Sequence, residues 1–183
     1  MGRLVGVLVL LAASTVWSQE GVFLREADAP KAVFPNAQTI SRDEVVVTPQ
    51  RRARVTQALG GVLPSLWEER WIVFRVAGAQ GALGRAVVVE EIGKHRPITF
   101  VVGLRPDGTV ADVAVMAYRE AYGGEIASRR FLAQYTGKRP QDDLHPSRGI
   151  QNVAGATLSV EAASRAVHKA QAVAAMLDQD AAP

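Results

Sequence analysis

Apolar residues in this chain follow two patterns, a short alternation in the middle and a longer period near the C-terminus. Trp71-Ile72-Val73-Phe74-Arg75-Val76 and Ala82 to Glu90 read as strands joined by the turn Gly78-Ala79-Gln80-Gly81. Ile98 to Leu104 and Thr109 to Tyr118 read as a second pair, with turn residues at each position of Arg105-Pro106-Asp107-Gly108 between them. Four consecutive strands predict an antiparallel meander. Such a sheet has to be covered by helices on one face, so the expected fold class is α+β. Downstream, Val160, Ala163, Val167, Ala170, Ala174 and Leu177 recur at helical spacing and predict a long helix that starts near Thr157 to Ser159, with either hydroxyl as its cap. Glu161, Arg165 and Lys169 share another face and read as successive i,i+4 pairs of opposite charge, and His168 lies on the solvated side of the helix.

A shorter helix is predicted over Gln50 to Leu59. Thr48 is placed to cap it, Pro49 to occupy its first position and Gly60-Gly61 to end it. Its Arg51, Arg52 and Arg54 read as a solvated face. Residues 19–47 contain Pro30 and Pro35 and no sustained period, so they are expected to be an extended lead-in to a single domain over residues 48–183.

Composition narrows the class. The 183 residues are 48% hydrophobic and 21% charged, as in an ordinary globular domain. A basic start (Met1-Gly2-Arg3), an apolar run from Leu4 to Ala13 and Val16-Trp17-Ser18 before a cut predict a cleaved secretory signal over residues 1–18 and an exported, periplasmic protein. With Arg3 removed from the 21 basic residues, the 18 acidic ones leave a net charge of +2. The basic residues are also scattered, which argues against nucleic acid as a partner. The absence of cysteine excludes disulfides, thiolate clusters, c-type haem attachment and a lipoprotein anchor.

Several kinds of site chemistry find no support. Gly78, Gly81 and Gly84 lie between two strands with no helix following, so they read as turn glycines and not a phosphate loop. His95, His145 and His168 form no recognisable metal motif, and His145 within Asp142-Asp143-Leu144-His145-Pro146 reads as part of a polar loop. No serine sits in a nucleophile elbow, and there is no nicotinamide fingerprint.

The informative stretch is Asn152-Val153-Ala154-Gly155-Ala156-Thr157-Leu158-Ser159, where a polar segment gives way to the long helix. Gly155 permits an unusual backbone angle, Ala156 leaves room for close approach, and a helix N-terminus favours a phosphate, so a hydroxyl at Thr157 is well placed. Upstream, the glycines in Tyr118-Arg119-Glu120-Ala121-Tyr122-Gly123-Gly124 allow backbone to approach a flat ligand, with Tyr118 and Tyr122 as stacking surface. A strand-to-helix turn with core aromatics accounts for the same residues, and by their chemistry alone it is the simpler reading. By their chemistry alone Lys94 and His95 read as a surface pair at a strand edge.

Gly155-Ala156-Thr157, flanked by Ala154, Leu158 and Ser159 and followed by an Ala-rich helix, resembles the attachment motif of the FMN-binding domain family. That family includes the flavin-carrying subunits of sodium-pumping NADH:quinone reductases and Rnf complexes. Its motif runs Asp-x-x-Ser/Thr-Gly-Ala-Thr, and a flavin transferase joins FMN to the Thr through a phosphoester. Here Gln151 stands at the Asp position and Ala154 at the Ser/Thr position. Other segments are also similar to the family in the same order: Gly93-Lys94-His95 before a strand, a strand ending in Glu120, a glycine turn, Phe131-Leu132-Ala133-Gln134-Tyr135 and Gly137-Lys138. The resemblance spans roughly Val87 to Leu177. It implies FMN bound covalently at Thr157, a ring pocket shaped by Glu120, Tyr122, Gly123 and Gly124, and hydrogen bonds from Lys94 or His95. It further implies an electron-transfer carrier, not a stand-alone enzyme, matured by a flavin transferase and serving membrane or periplasmic donors and acceptors. Two other readings keep the fold: noncovalent binding of FMN or another flat ligand, and a flavin-free adaptor in which Thr157 is a plain helix cap.

Overall fold

The computed structural model describes residues 21–60, 65 and 67–181. In chain order these form β1 (Gly21–Val22), α1 (Ala29–Val33), β2 (Thr39–Val46), α2 (Pro49–Ala58), β3 (Arg70–Gly78), β4 (Gly81–Ile92), β5 (Pro97–Leu104), β6 (Val110–Tyr118), α3 (Arg129–Leu132) and α4 (Thr157–Ala181). The strands make one antiparallel sheet in the order β1-β6-β5-β4-β3-β2. With its helices it is an α+β fold. The expected four-strand meander is β3 to β6, and the expected signal sequence lies outside the described residues.

The lead-in departs from expectation. Residues 19–47 are not an extended approach to the domain, because their described part supplies both edges of the sheet. β2 pairs with β3 from Thr39↔Ala77 to Val46↔Arg70, and β1 pairs with β6 at Gly21↔Tyr118. The polar run Ser41-Arg42-Asp43-Glu44 hides β2 from a periodicity reading. At an edge, charged side chains cost little and discourage pairing with other chains. Arg75 and Arg70 reach back across the β2–β3 pair to Asp43 (3.0 Å) and Glu44.

Alternation along the strands sends side chains to two different cores. Trp71, Val73, Val87, Val89, Phe100 and Val102 face α4, whereas Phe74, Val76, Ala86 and Val101 face α1 with its Ala29 and Val33. Both faces are therefore covered, and β5 is buried from Ile98 to Leu104. Gly103 belongs to this packing: a Cβ there would lie 2.9 Å from the Val33 Cβ, so the glycine lets α1 close on the sheet.

α2 begins as the sequence predicts. Thr48 accepts a hydrogen bond from the Arg51 amide (3.3 Å) and Pro49 opens the helix. Its arginines do more than face solvent. Arg54 donates to Asp180, to the Gln179 side chain (2.8 Å) and to the Met176 carbonyl (3.2 Å), which places cationic charge against the C-terminal end of α4.

The second correction concerns α4. Val160, Ala163, Val167, Ala170 and Ala174 are buried as predicted, but so is Lys169, which is 0% exposed. Arg165 and Lys169 carry like charge and are no pair. Both converge on Glu91 of β4, also 0% exposed, with Lys169 Nζ at 2.9 Å and Arg165 Nε at 3.2 Å. Glu161 and Arg165 do form the expected i,i+4 contact, at 3.8 Å. Lys169 also donates to Glu68 (2.7 Å), to the Ser65 carbonyl (2.7 Å) and to the Glu90 carbonyl, and lies 5.8 Å from the Trp67 ring centre. His168 is half-buried, and burial pulls its pKa below the ordinary value.

Without the Lys169 ammonium, Glu91 would keep only Arg165 as a cation and Glu68, whose side chain is 8% exposed, would lose its own; breaking a buried pair costs about 3–5 kcal/mol. Lys169→Met should therefore lower the unfolding free energy by roughly that amount in urea titration. A loss within the error of the titration would show that the network does not hold α4.

Candidate functional site

The exit of β6 and the start of α4 meet at one place. After Tyr118 the chain runs through Arg119 and Glu120 into a turn whose Gly123 has φ 86°, a left-handed conformation that suits glycine. A Cβ on Gly123 would lie 2.8 Å from Tyr118 Oη, 3.0 Å from Ser159 Oγ and 3.2 Å from the Ala156 Cβ. The two motifs singled out in the sequence thus pack directly on each other, through a glycine with no room for a side chain.

α4 starts in an unexpected way. Neither Thr157 nor Ser159 caps it. The Val160 amide donates to the Ala156 carbonyl (2.9 Å), which puts Ala156 in the cap position with its methyl buried beside Gly123. The Ser159 hydroxyl is buried and pairs with Tyr118 Oη (3.1 Å). Thr157 is the first helical residue and exposed, and its Oγ1 accepts from the Asn152 side-chain amide (3.0 Å). Gly155 has φ 78° with open space on its Cβ side, and Ala154 and Leu158 are exposed on either side of the motif.

Residues between the two motifs hold the approach to Thr157. Gln134 accepts from the Gln151 amide (2.7 Å), and Lys138 donates to the Gly149 carbonyl (3.3 Å). Tyr135 is buried edge-on to Phe131 (5.9 Å between ring centres) and bonds Ser164 of α4 (3.0 Å). Its burial pushes the phenol pKa well up. The segment Phe131-Leu132-Ala133-Gln134-Tyr135 therefore acts as a bracket between β6 and α4.

Beside Gly123 lies an open cavity of about 640 Å³, within the range of small-molecule sites. Glu120, Tyr122, Gly123 and Gly124 line it, together with Phe23, Val115, Tyr118, Glu125 and Ser128. Tyr122 is 81% exposed and presents a ring at its mouth. Tyr118 is 1% exposed and is a buried connector, not a stacking platform. Phe23 carried no signal in the sequence, because β1 brings it to β6 across almost a hundred residues of chain.

Glu120 has a role its sequence position did not suggest. Its Oε1 accepts from the amides of His95 (2.5 Å) and Arg96 (2.9 Å), so it clasps the turn between β4 and β5. A Cβ on Gly93 would lie 2.9 Å from that oxygen, and glycine there admits the carboxylate. Burial opposes its ionisation, but hydrogen bonds from the backbone N–H groups of Arg96, His95 and Lys94, with the nearby His95 charge, prevail and hold its pKa below the ordinary value. Lys94 and His95 are exposed on this turn and form no wall of the cavity, so the structure does not bring their side chains to the candidate ring site. Among the described residues, no cluster of three or more His, Cys, Asp or Glu could hold a metal ion.

The model of the family described as FMN-binding domain matches residues 93–172. The chain carries an FMN-binding domain. The match starts at the glycine that admits Glu120, runs through the cavity turn and Thr157, and ends within α4. No curated protein matches the chain. The residues present suit FMN: an exposed hydroxyl and unpaired first-turn amides for its phosphate, and beside them a cavity of small-molecule size with an aromatic rim.

Because the folded pKa of Glu120 is depressed, its ionised form stabilises the FMN-binding domain above the ordinary value of 4.5, and that contribution fades as pH falls through the folded value. Glu120→Gln should be the less stable protein at neutral pH, with the gap closing in acid, as followed by urea unfolding across that range. A gap that stays constant with pH would contradict the clasp.

Proposed function

We propose that this chain is an exported flavoprotein that carries FMN through a phosphoester to Thr157 and passes electrons between membrane or periplasmic partners. The observation that carries the reading is the setting of Thr157: an exposed hydroxyl on the first residue of α4, beside the open Gly155 and one residue from the Ala156 methyl that packs on the cavity turn. The first-turn amides and the helix dipole favour the charge of a phosphodiester there. From Thr157 the ring would reach the cavity between Glu120 and Ser128, with Tyr122 against its face.

When bound, FMN supplies the capacity to accept and return electrons, and the protein supplies position and surroundings. Phe23, Val115 and Tyr122 shield the ring face, and the open mouth leaves an edge accessible to a donor or acceptor. A tether suits an exported carrier, since a cofactor that dissociates outside the cytoplasm is lost by diffusion. The segment 151–155 is mostly exposed, so a flavin transferase can reach it.

A second reading, noncovalent FMN, is favoured by one observation. Gln151 and Ala154, which stand where the family motif has Asp and Ser/Thr, are both exposed where a transferase would read them, while the cavity does not depend on either. Intact-mass measurement on protein purified from its native host separates the readings. The covalent one predicts an added mass of FMN less water, absent in Thr157→Ala. An unmodified mass, from cells that flavinylate other exported proteins, would refute it. Yellow colour lost on denaturation would then support noncovalent FMN.

A further inference from the structure

We propose that Tyr118 and Ser159 are positioning residues, whose shared buried hydrogen bond determines whether a flavin tethered at Thr157 seats its ring in the cavity. The inference rests on the covalent reading above and adds to it a separation between attachment and seating.

Tyr118 closes β6, and its Oη donates to the Tyr122 carbonyl at the cavity turn. A phenol has one proton. With that proton committed to Tyr122, the 3.1 Å contact between Tyr118 and Ser159 is a bond donated by the Ser159 hydroxyl to Tyr118 Oη. A relay therefore runs from Ser159 to Tyr118 to the Tyr122 backbone. Ser159 lies in the first turn of α4, two residues after Thr157, and Tyr122 begins the Gly123-Gly124 wall of the cavity. One phenol thus ties the tether point to the ring site.

The surroundings make this link consequential. The first turn of a helix lacks intrahelical partners for its amides and is prone to fray. The charged anchors of α4, Arg165 and Lys169, lie well down the helix from Thr157. Thr157 itself is held through its side chain by exposed Asn152. Near the tether, the relay is joined by the close fit of Gly123 against Ala156, and the hydroxyls of Tyr118 and Ser159 border the same space. Tyr118 is 1% and Ser159 4% exposed, so water cannot readily replace either partner.

Attachment needs the exposed Thr157 hydroxyl, which the relay does not touch, whereas seating needs the wall and the tether in register. Tyr118→Phe removes the whole relay. Ser159→Ala removes half of it and keeps the bond to Tyr122, so it serves should Tyr118→Phe fail to fold. Each variant and the parent would be purified from the native host. They would be compared by intact mass, by flavin fluorescence with iodide quenching, and by midpoint potential.

The expected result is full added mass in Tyr118→Phe, with flavin fluorescence and iodide accessibility raised several-fold toward those of free FMN and a potential shifted toward the free cofactor. Ser159→Ala should move the same readouts less. A modified variant whose fluorescence, quenching and potential match the parent would overturn the proposal. So would loss of the added mass in a folded Tyr118→Phe, since the relay would then serve attachment itself. An unmodified parent would sink the covalent reading and this inference together, whereas a modified parent with unchanged variants would sink this inference alone.

Discussion

The structure depends on how α4 is held against one face of the sheet. Small side chains along the helix (Ala163, Ala166, Ala170) let it lie close to the strands, but small apolar contacts tolerate sliding. Charge supplies the register. Glu91 on β4 is fully buried and receives both Arg165 and Lys169, so a shift of α4 by one turn, about 5.4 Å, would leave Glu91 and Lys169 unpaired in the core. That fixed register brings the start of the helix beside the exit of β6. Arg54 on α2 closes the other end through Asp180 and the last carbonyls.

Given this register, the site needs few specialised residues. Gly123 packs where no side chain fits, Ala156 presents only a methyl to it, and Thr157 is left outside with its hydroxyl in solvent. Glu120 stiffens the same region from behind by clasping the β4–β5 turn. The proposed electron carrier would gain from such a frame, because its cofactor would do the chemistry and the protein would have only to hold it at a constant orientation and polarity. The open mouth beside Tyr122 would then be the natural route for electrons.

Much of this was legible in the sequence. Alternation marked β3 to β6, Thr48-Pro49 marked α2, and Gly155-Ala156-Thr157 with its following helix pointed to the family whose model matches residues 93–172. Less was legible where meaning lay in distant partners. Lys169 reads as part of a charge series along the helix, since its burial depends on Glu91 and Glu68, each far away in the sequence. β2 reads as irregular because an edge strand need not alternate. Tyr118 and Ser159 were visible as residues, but the hydrogen bond that joins them is a product of the tertiary fold, as is the arrival of Phe23 at the cavity.

The central proposal is spatial: a flavin tethered at the first residue of α4 would place its ring in the cavity at the exit of β6. A crystal structure of the protein purified in its yellow form from the native host tests it most directly. The account predicts density continuous from Thr157 Oγ1 through a phosphate into an isoalloxazine ring that touches Tyr122 and the Gly123-Gly124 turn. An unmodified Thr157 with the ring in another cavity, such as the one lined by Arg75, Arg105 and Gln171 near the far end of α4, would contradict it.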